Sequence, residues 1–312
     1  MLTLLGSTLS AQNTVMNGVP RDTSFTVHSA FIKERKYRDY IEIVKPALPD
    51  NVVAKEQIIY SNPNKDRSLH LNLYRPNDNK KYPALLMVHG GGWSSGDLSL
   101  QIPMAQQIAS KGYVTIPVEY RLSPEALYPA AVYDLKTAIR WIRANAEKYS
   151  IDTTKIGISG CSAGGQLAAL IGATNGQTEY EGNGEYDSYS SSVHAVINID
   201  GTSDFTTPAL LENIAKSIEK GKTPAAVKWF GGIFEAKKDI WIEASPLFHV
   251  TMQTAPICFI NSSIPRFHDG QDEMIKRLSE YNIYTEVHTI EDTPHPFWLF
   301  HPWFDTTVRY MT

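Results

Sequence analysis

Three short stretches of the chain carry side chains and backbone able to do chemistry together. The first is Gly160-Cys-Ser-Ala-Gly164, of the form Gly-x-Ser-x-Gly, with Gly165 next. A pattern this short recurs by chance, so its setting matters more than its letters. An apolar run, Ile156-Gly-Ile-Ser159, leads straight into it, and an Ala- and Leu-rich helical stretch, Ala163–Ala173, leaves it. A sharp strand-to-helix turn of this kind strains its central residue and lifts that side chain clear of the backbone. Glycines on either side remove the side chains that would clash. Ser162 is therefore the candidate nucleophile. The competing reading, a glycine turn with Ser162 as a helix N-cap, is weaker in this setting.

The second stretch is His89-Gly-Gly-Gly-Trp93, directly after the apolar run Ala84–Val88. Attack on a carbonyl builds negative charge on its oxygen, and fixed backbone N–H groups stabilise that charge. Consecutive glycines let the main chain come close with its N–H groups turned inward. Gly90 and Gly91 are the candidate donors here, and the N–H of Ala163 is the third. A phosphate-binding loop would need a Lys-Ser/Thr ending, which is missing. His89 reads as a brace for the loop. The third stretch is Asp292-Thr-Pro-His-Pro-Phe-Trp298. Of nine histidines, His295 alone sits just beyond the last predicted strand, where it can shuttle a proton for Ser162. His268, His288 and His301 are the fallbacks.

The elements needed to position these groups are legible in the pattern. Val52–Tyr60 and Ser68–Tyr74 alternate polar and apolar residues around the turn Asn62-Pro-Asn-Lys-Asp66, which reads as an antiparallel hairpin. Strands and helices then alternate: strand Ala84–Val88, helix Pro103–Lys111, strand Val114–Val118, helix Ala130–Tyr149, strand Lys155–Ser159, helix Ala163–Ala173, strand Val193–Ile199, strand Ile257–Ile260, helix Gln271–Tyr281 and strand Tyr284–Ile290. That rhythm predicts an α/β fold with a mostly parallel central sheet flanked by helices. Residues 201–255 interrupt it and read as an insertion over one end of the sheet. Residues 50–312 are expected to form a single catalytic domain.

The chain has 312 residues and a formal net charge of −4, with 42% apolar and 20% charged residues. Those values exclude intrinsic disorder and give no electrostatic basis for binding nucleic acid. Two cysteines exclude a disulfide scaffold and a four-thiolate zinc site. Cys161 and Cys258 read as buried small hydrophobes. No run of 18 or more apolar residues exists to span a membrane. The opening Met1–Gln12 is apolar and rich in small residues, like the back half of a secretory signal peptide. On that reading the protein is exported, to the periplasm or the medium.

Together these residues resemble the α/β-hydrolase superfamily, and within it the carbohydrate-esterase branch that includes feruloyl and acetyl-xylan esterases. The resemblance rests on His89-Gly-Gly-Gly-Trp93, Tyr120-Arg-Leu-Ser-Pro-Glu125, Gly160-Cys-Ser-Ala-Gly164, Ala244-Ser-Pro-Leu247 and Thr293-Pro-His-Pro296. It implies an α/β-hydrolase fold, Ser162 as nucleophile, His295 as base and no cofactor or metal. The implied substrate is an ester-decorated plant polysaccharide or its oligosaccharides. Acetyl is the leading acyl group, with feruloyl and pectin methyl esters as alternatives. A serine peptidase or amidase and a non-catalytic carbohydrate-binding relative are the competing classes.

One part of the pattern breaks. Most relatives carry the acid that orients the histidine in the loop after the strand Ile257–Ile260. Here that loop reads Asn261-Ser-Ser-Ile-Pro-Arg-Phe-His-Asp269, with no carboxylate at the usual place. Asp200, at the end of the preceding strand, is the leading substitute; Asp269 and a dyad without an acid follow. Arg266 and His268 in the same loop are candidates to bind a carboxylate or sugar hydroxyls of the substrate, Arg266 suiting a uronic acid by bidentate pairing. Trp93 and Trp298 are candidate surfaces for stacking a sugar ring.

Overall fold

The computed structural model describes residues 14–16 and 19–312. The expected signal segment, residues 1–12, lies outside the described residues. Strand β1 (Thr14–Met16) pairs antiparallel with β2 (Val19–Arg21). Helix α1 (Val27–Glu34) starts at Thr26, whose hydroxyl accepts the Ser29 N–H while the Ser29 hydroxyl accepts the Thr26 N–H. This reciprocal cap satisfies two N–H groups that a helix start leaves free. A two-residue strand, β3 (Glu42–Ile43), follows. The sequence reading places no element before residue 50, because this stretch has neither a long apolar period nor a run.

The predicted hairpin forms as β4 (Val52–Asn64) and β5 (Arg67–Pro76). Then come β6 (Tyr82–Val88), α2 (Ile102–Ala109), β7 (Val114–Val118), α3 (Ala130–Ala144) and α4 (Ala146–Tyr149). The single helix expected over 130–149 is two. The Asn145 amide donates to the Trp141 carbonyl at 3.0 Å, a local bond that competes with the helical ladder, and Ser150 ends α4 with φ 57°. Next are β8 (Ile151–Cys161), α5 (Ala163–Ala173) and β9 (Ala195–Ile199). The last was expected from Val193, but that N–H donates to the Asn175 side chain instead of to a strand. The insertion holds α6 (Pro208–Glu219), α7 (Ala225–Phe230) and α8 (Phe234–Glu243). The chain closes with β10 (Ile257–Asn261), α9 (Gln271–Glu280), β11 (Thr285–Thr289), β12 (Phe300–His301) and α10 (Phe304–Tyr310).

Eight strands form the central sheet in the order β11-β10-β9-β8-β6-β7-β5-β4. From β11 to β7 every pairing is parallel, and β5 and β4 add the antiparallel edge. Strands β6 and β7 are buried almost throughout because helices cover both faces. The alternation of side chains along β6 divides the core. Leu86 and Val88 join a cluster with α3, α5 and the insertion; Leu85 and Met87 join one with α2 and α10. Trp229, Phe230 and Trp241 of the insertion belong to the first cluster. From β6 the chain steps to β7 on one side and then returns to β8 on the other. The crevice at the carboxyl ends of β6 and β8 is thus a topological switch point, where open α/β sheets bind ligands.

The N-terminal segment is fastened to the second cluster. Strand β3 pairs antiparallel with β12, and Ile41 is 2% exposed beside Phe300 and Trp303. Ile41→Ala should therefore lower unfolding stability by about 2–5 kcal/mol, read as a shift in urea midpoint at constant m. An unchanged midpoint would mean that this segment does not share the core.

Candidate active site

At the end of β8 the chain turns into α5 through Ser162, whose φ is 55° and ψ −118°. A non-glycine residue is strained there, and packing holds it. A Cβ on Gly160 would lie 2.0 Å from the Gly164 carbonyl oxygen, and one on Gly164 would lie 2.2 Å from that of Val88. Only glycines let α5 start this close to the strand ends. The Ser162 N–H donates to the Ile199 carbonyl at 2.7 Å, tying the turn to β9. Cys161 beside it is fully buried, and burial pushes its thiol up to about 12. It stays protonated, which leaves Ser162 as the candidate nucleophile of this turn.

The 89–93 loop folds over Ser162. A Cβ on Gly90 would lie 2.8 Å from the Cys161 carbonyl oxygen and 3.2 Å from Ser162 Cβ. Among the described residues the N–H groups of Gly90, Gly91 and Ala163 donate to no protein acceptor. They are free to meet a negative oxygen bound at Ser162. The rest of the loop is pinned. His89 is buried and stacked on Tyr120 at 4.5 Å, and the Tyr120 hydroxyl donates to the His89 carbonyl at 2.9 Å. Burial holds the His89 imidazolium down at about 4, so this side chain is a neutral brace. The Ser123 N–H donates to the Trp93 carbonyl at 2.7 Å. Arg121 forks onto the buried Asp134 carboxylate, and Glu125 pairs with Arg67. Tyr120 and Ser123 thus hold the glycine loop, while Arg121 and Glu125 tie the same motif to α3 and β5.

His295 lies past β11, and its Nε2 is 2.8 Å from Ser162 Oγ. Its Nδ1 is 2.8 Å from Asp200 Oδ2. Asp200 ends β9 with φ 52°, in a turn closed by the Asn198 side chain bonding both ways with Gly201. The second carboxylate oxygen, Oδ1, accepts the Ser262 N–H at 2.7 Å and faces His268 Nε2 at 2.7 Å. Ser162, His295 and Asp200 therefore stand in one hydrogen-bonded chain. Burial drives the Asp200 carboxyl upward, but the bonds from His268, His295 and Ser262 outweigh it and leave it below the ordinary carboxylate value. Burial also lowers His295 below its ordinary value of 6.5; Arg266 and His268 add to that, and Asp200 opposes it. A neutral imidazole next to a serine hydroxyl and an ionised carboxylate can take up the hydroxyl proton.

Other expected residues lie elsewhere. Asp269 does not reach His295: its carboxylate accepts the Thr207 hydroxyl at 3.3 Å, and burial together with Asp204 raises it. Trp93 is not open to a sugar ring. It is 8% exposed, stacked on Trp229 at 4.7 Å, and its indole N–H donates to Gln166. Trp298 is 3% exposed and stands edge-on to His295 at 5.3 Å, so it backs the imidazole rather than lining an open surface. Arg266 is exposed and sits over the Phe267 ring at 4.4 Å, and Phe267 stacks on His295 at 3.5 Å. That places a cation one ring away from the imidazole. His288 stacks on Tyr310, and His301 pairs in β12. Cys258, Glu286 and His288 gather on the β10–β11 edge with ligand atoms within 4.8 Å of one another.

Sequence reasoning did not find Phe267 or the bond from His268 to Asp200. It also missed Gln166, which bridges the Trp93 indole to the Ala244 carbonyl. Gln166 falls one turn after Ser162 on α5, so helical spacing alone would have placed it under the site. A Cβ at residue 90 would press on the Cys161 carbonyl and push the residue-90 N–H out of place, so Gly90→Ala should slow fluorophosphonate labelling of Ser162 by about 10²–10³, with far-ultraviolet circular dichroism unchanged. Labelling at the wild-type rate would mean that this N–H does not reach the reacting centre.

Residues 71–275, about two thirds of the chain, match the BD-FAE family model. Ser162, Asp200 and His268 fall inside that match, and His295 follows it. Esterase LipC of Mycobacterium tuberculosis is 30% identical over 214 residues, which is 68% of this chain and 51% of that protein. The chain spans about half the length of the curated relatives it matches. Among solved structures, the bifunctional GH43-CE of Bacteroides eggerthii superposes with a TM-score of 0.69 at 26% identity, over 83% of this chain and 37% of that one. A truncated carbohydrate esterase from gut microbiota superposes with a TM-score of 0.71 at 22% identity, over 85% and 98%, and shares the fold. The chain belongs to the BD-FAE family of α/β-hydrolase esterases.

Proposed function

We propose that this protein is a serine carboxylic-ester hydrolase that removes acyl groups, acetyl above all, from plant cell-wall polysaccharide or its oligosaccharides. The observation that carries the reaction type is the chain Ser162–His295–Asp200 beside three free backbone N–H groups. Ser162 Oγ attacks the ester carbonyl carbon, and its proton passes to His295 Nε2. The carbonyl electron pair moves onto oxygen, where Gly90, Gly91 and Ala163 donate to it. The tetrahedral species collapses, the sugar oxygen leaves with the proton from His295, and the acyl group stays on Ser162. Water then attacks the acyl carbon and gives His295 a proton. The second collapse frees the carboxylic acid and returns that proton to Ser162. Asp200 holds the imidazole in the tautomer this requires and offsets its charge when protonated. Residues 50–312 act as one catalytic unit in this reading.

The substrate class is supported by a solved relative described as a carbohydrate esterase and by the bifunctional GH43-CE. Arg266 favours a pectic backbone over xylan within that class. It is an exposed guanidinium beside His295, suited to bidentate pairing with a uronate carboxylate. A polymer of this kind is met outside the cytoplasm, in keeping with export; the test is activity in the extracellular or periplasmic fraction.

Four outcomes check the proposal. Acetate should be released from acetylated pectin and acetylated xylan by the wild type and not by Ser162→Ala. Arg266→Leu should raise KM on pectin only. No serine-dependent acetate would remove the acetyl reading and leave methyl or feruloyl esters. Asp200→Asn should lower kcat by about 10⁴; near-normal kcat would take the acid role from Asp200. Because burial lowers His295, its basic form persists below pH 6.5. The acid limb of kcat/KM should then have its midpoint below 6.5, and a midpoint above that value would contradict His295 as the base.

A further inference from the structure

Two imidazoles share one carboxylate, and only one of them reaches Ser162. His295 holds Asp200 Oδ2, and His268 holds Oδ1 from the opposite side at 2.7 Å. The Asp200 side chain has no exposed surface, and that of His268 has 17%. The terminal torsion of an aspartate is broad and roughly two-fold. A carboxylate that must orient an imidazole through one oxygen therefore needs its other oxygen tethered. Oδ1 has two tethers, the Ser262 N–H and the His268 ring. Both come from the loop after β10. A short turn, Pro265–Phe267, shapes it. Phe267 thereby roofs the His295 ring, and the next residue reaches in to Asp200.

From this geometry we propose that His268 is a positioning residue of the proton relay. Its Nε2–H fixes the plane of the Asp200 carboxylate, so that Oδ2 stays aimed at His295 Nδ1. The loop after β10 thus supplies the acid's anchor. The inference rests on the serine-esterase reading above. His268 touches neither Ser162 nor a substrate carbonyl, so its effect falls on the rate of the chemical steps and not on binding.

The test uses p-nitrophenyl acetate with the wild type, Ser162→Ala, His268→Leu and His268→Gln. Gln carries an N–H donor about where His Nε2 lies, and Leu carries none. Loss of one hydrogen bond to a charged group corresponds to about 10- to 100-fold in rate. His268→Leu should lose that much kcat with KM within about twofold, and His268→Gln should recover most of it. In the wild type, proton NMR should show low-field imidazole N–H resonances from both histidines. His268→Gln should keep the one from His295, and His268→Leu should shift or broaden it. If the Leu variant does not fold, His268→Asn, too short to reach Oδ1, takes its place. Unchanged kcat in the variant without a donor, a loss confined to KM, or a folded Gln variant as slow as the Leu or Asn variant would each overturn the proposal. Absence of serine-dependent turnover by the wild type would instead overturn the esterase reading itself.

Discussion

A carboxylate with no exposed surface persists in a fold only where hydrogen bonds replace its water. Asp200 is such a group, and the carboxyl end of the sheet is organised around it. Its three partners come from two loops, after β10 and after β11, while its own backbone belongs to the turn after β9. Satisfying one buried charge therefore fixes three chain crossings relative to each other. The same arrangement sets the imidazole against Ser162. Stability of the charge and geometry of the site are one requirement here.

The remaining loops are held by neutral bonds of the same economy. Ser263 and Thr293 exchange N–H and hydroxyl bonds, which lock the loop that carries His295 to the loop after β10. The Ser245 hydroxyl accepts the Phe205 N–H and donates to Trp241, fastening the insertion behind Asp200. Gln166 joins the glycine loop to the same insertion through the Ala244 carbonyl. Ser162, Trp93 and Asp200 all have positive φ near +50°. Strain of this kind persists where the surroundings over-determine the backbone, and these bonds supply that constraint.

Much of this was legible in the residues. The continuous apolar run of β6 and the alternation of strands with helices such as the Ala-rich α5 declared the parallel sheet, since strands covered on both faces cannot alternate. Gly160, Gly164 and the three glycines after His89 declared close backbone approach. Motifs that resemblance alone had singled out turned out to be braces: Tyr120 for the glycine loop, Ser245 for the turn after Asp200. The N-terminal helix was hidden because its buried positions, such as Ala30, are few and its face is short. The Thr26–Ser29 cap was its one local sign. Trp93 and Trp298 showed the opposite failing: an aromatic ring advertises a contact without saying whether core or substrate makes it.

By itself the sequence determined the fold class, the turn that carries Ser162, the glycine loop and the histidine after the last sheet strand. Each of those depends on local pattern: period, glycine spacing and order along the chain. Only the tertiary structure decided which carboxylate faces His295 and that His268 holds it from the other side. Asp200 and Asp269 look alike in sequence, both following strands that lead toward the site. They differ in what surrounds them, and residues 200, 268 and 295 meet only because β9, β10 and β11 lie side by side in the sheet. Contacts between loops so far apart in the chain follow from strand order, which no local pattern encodes.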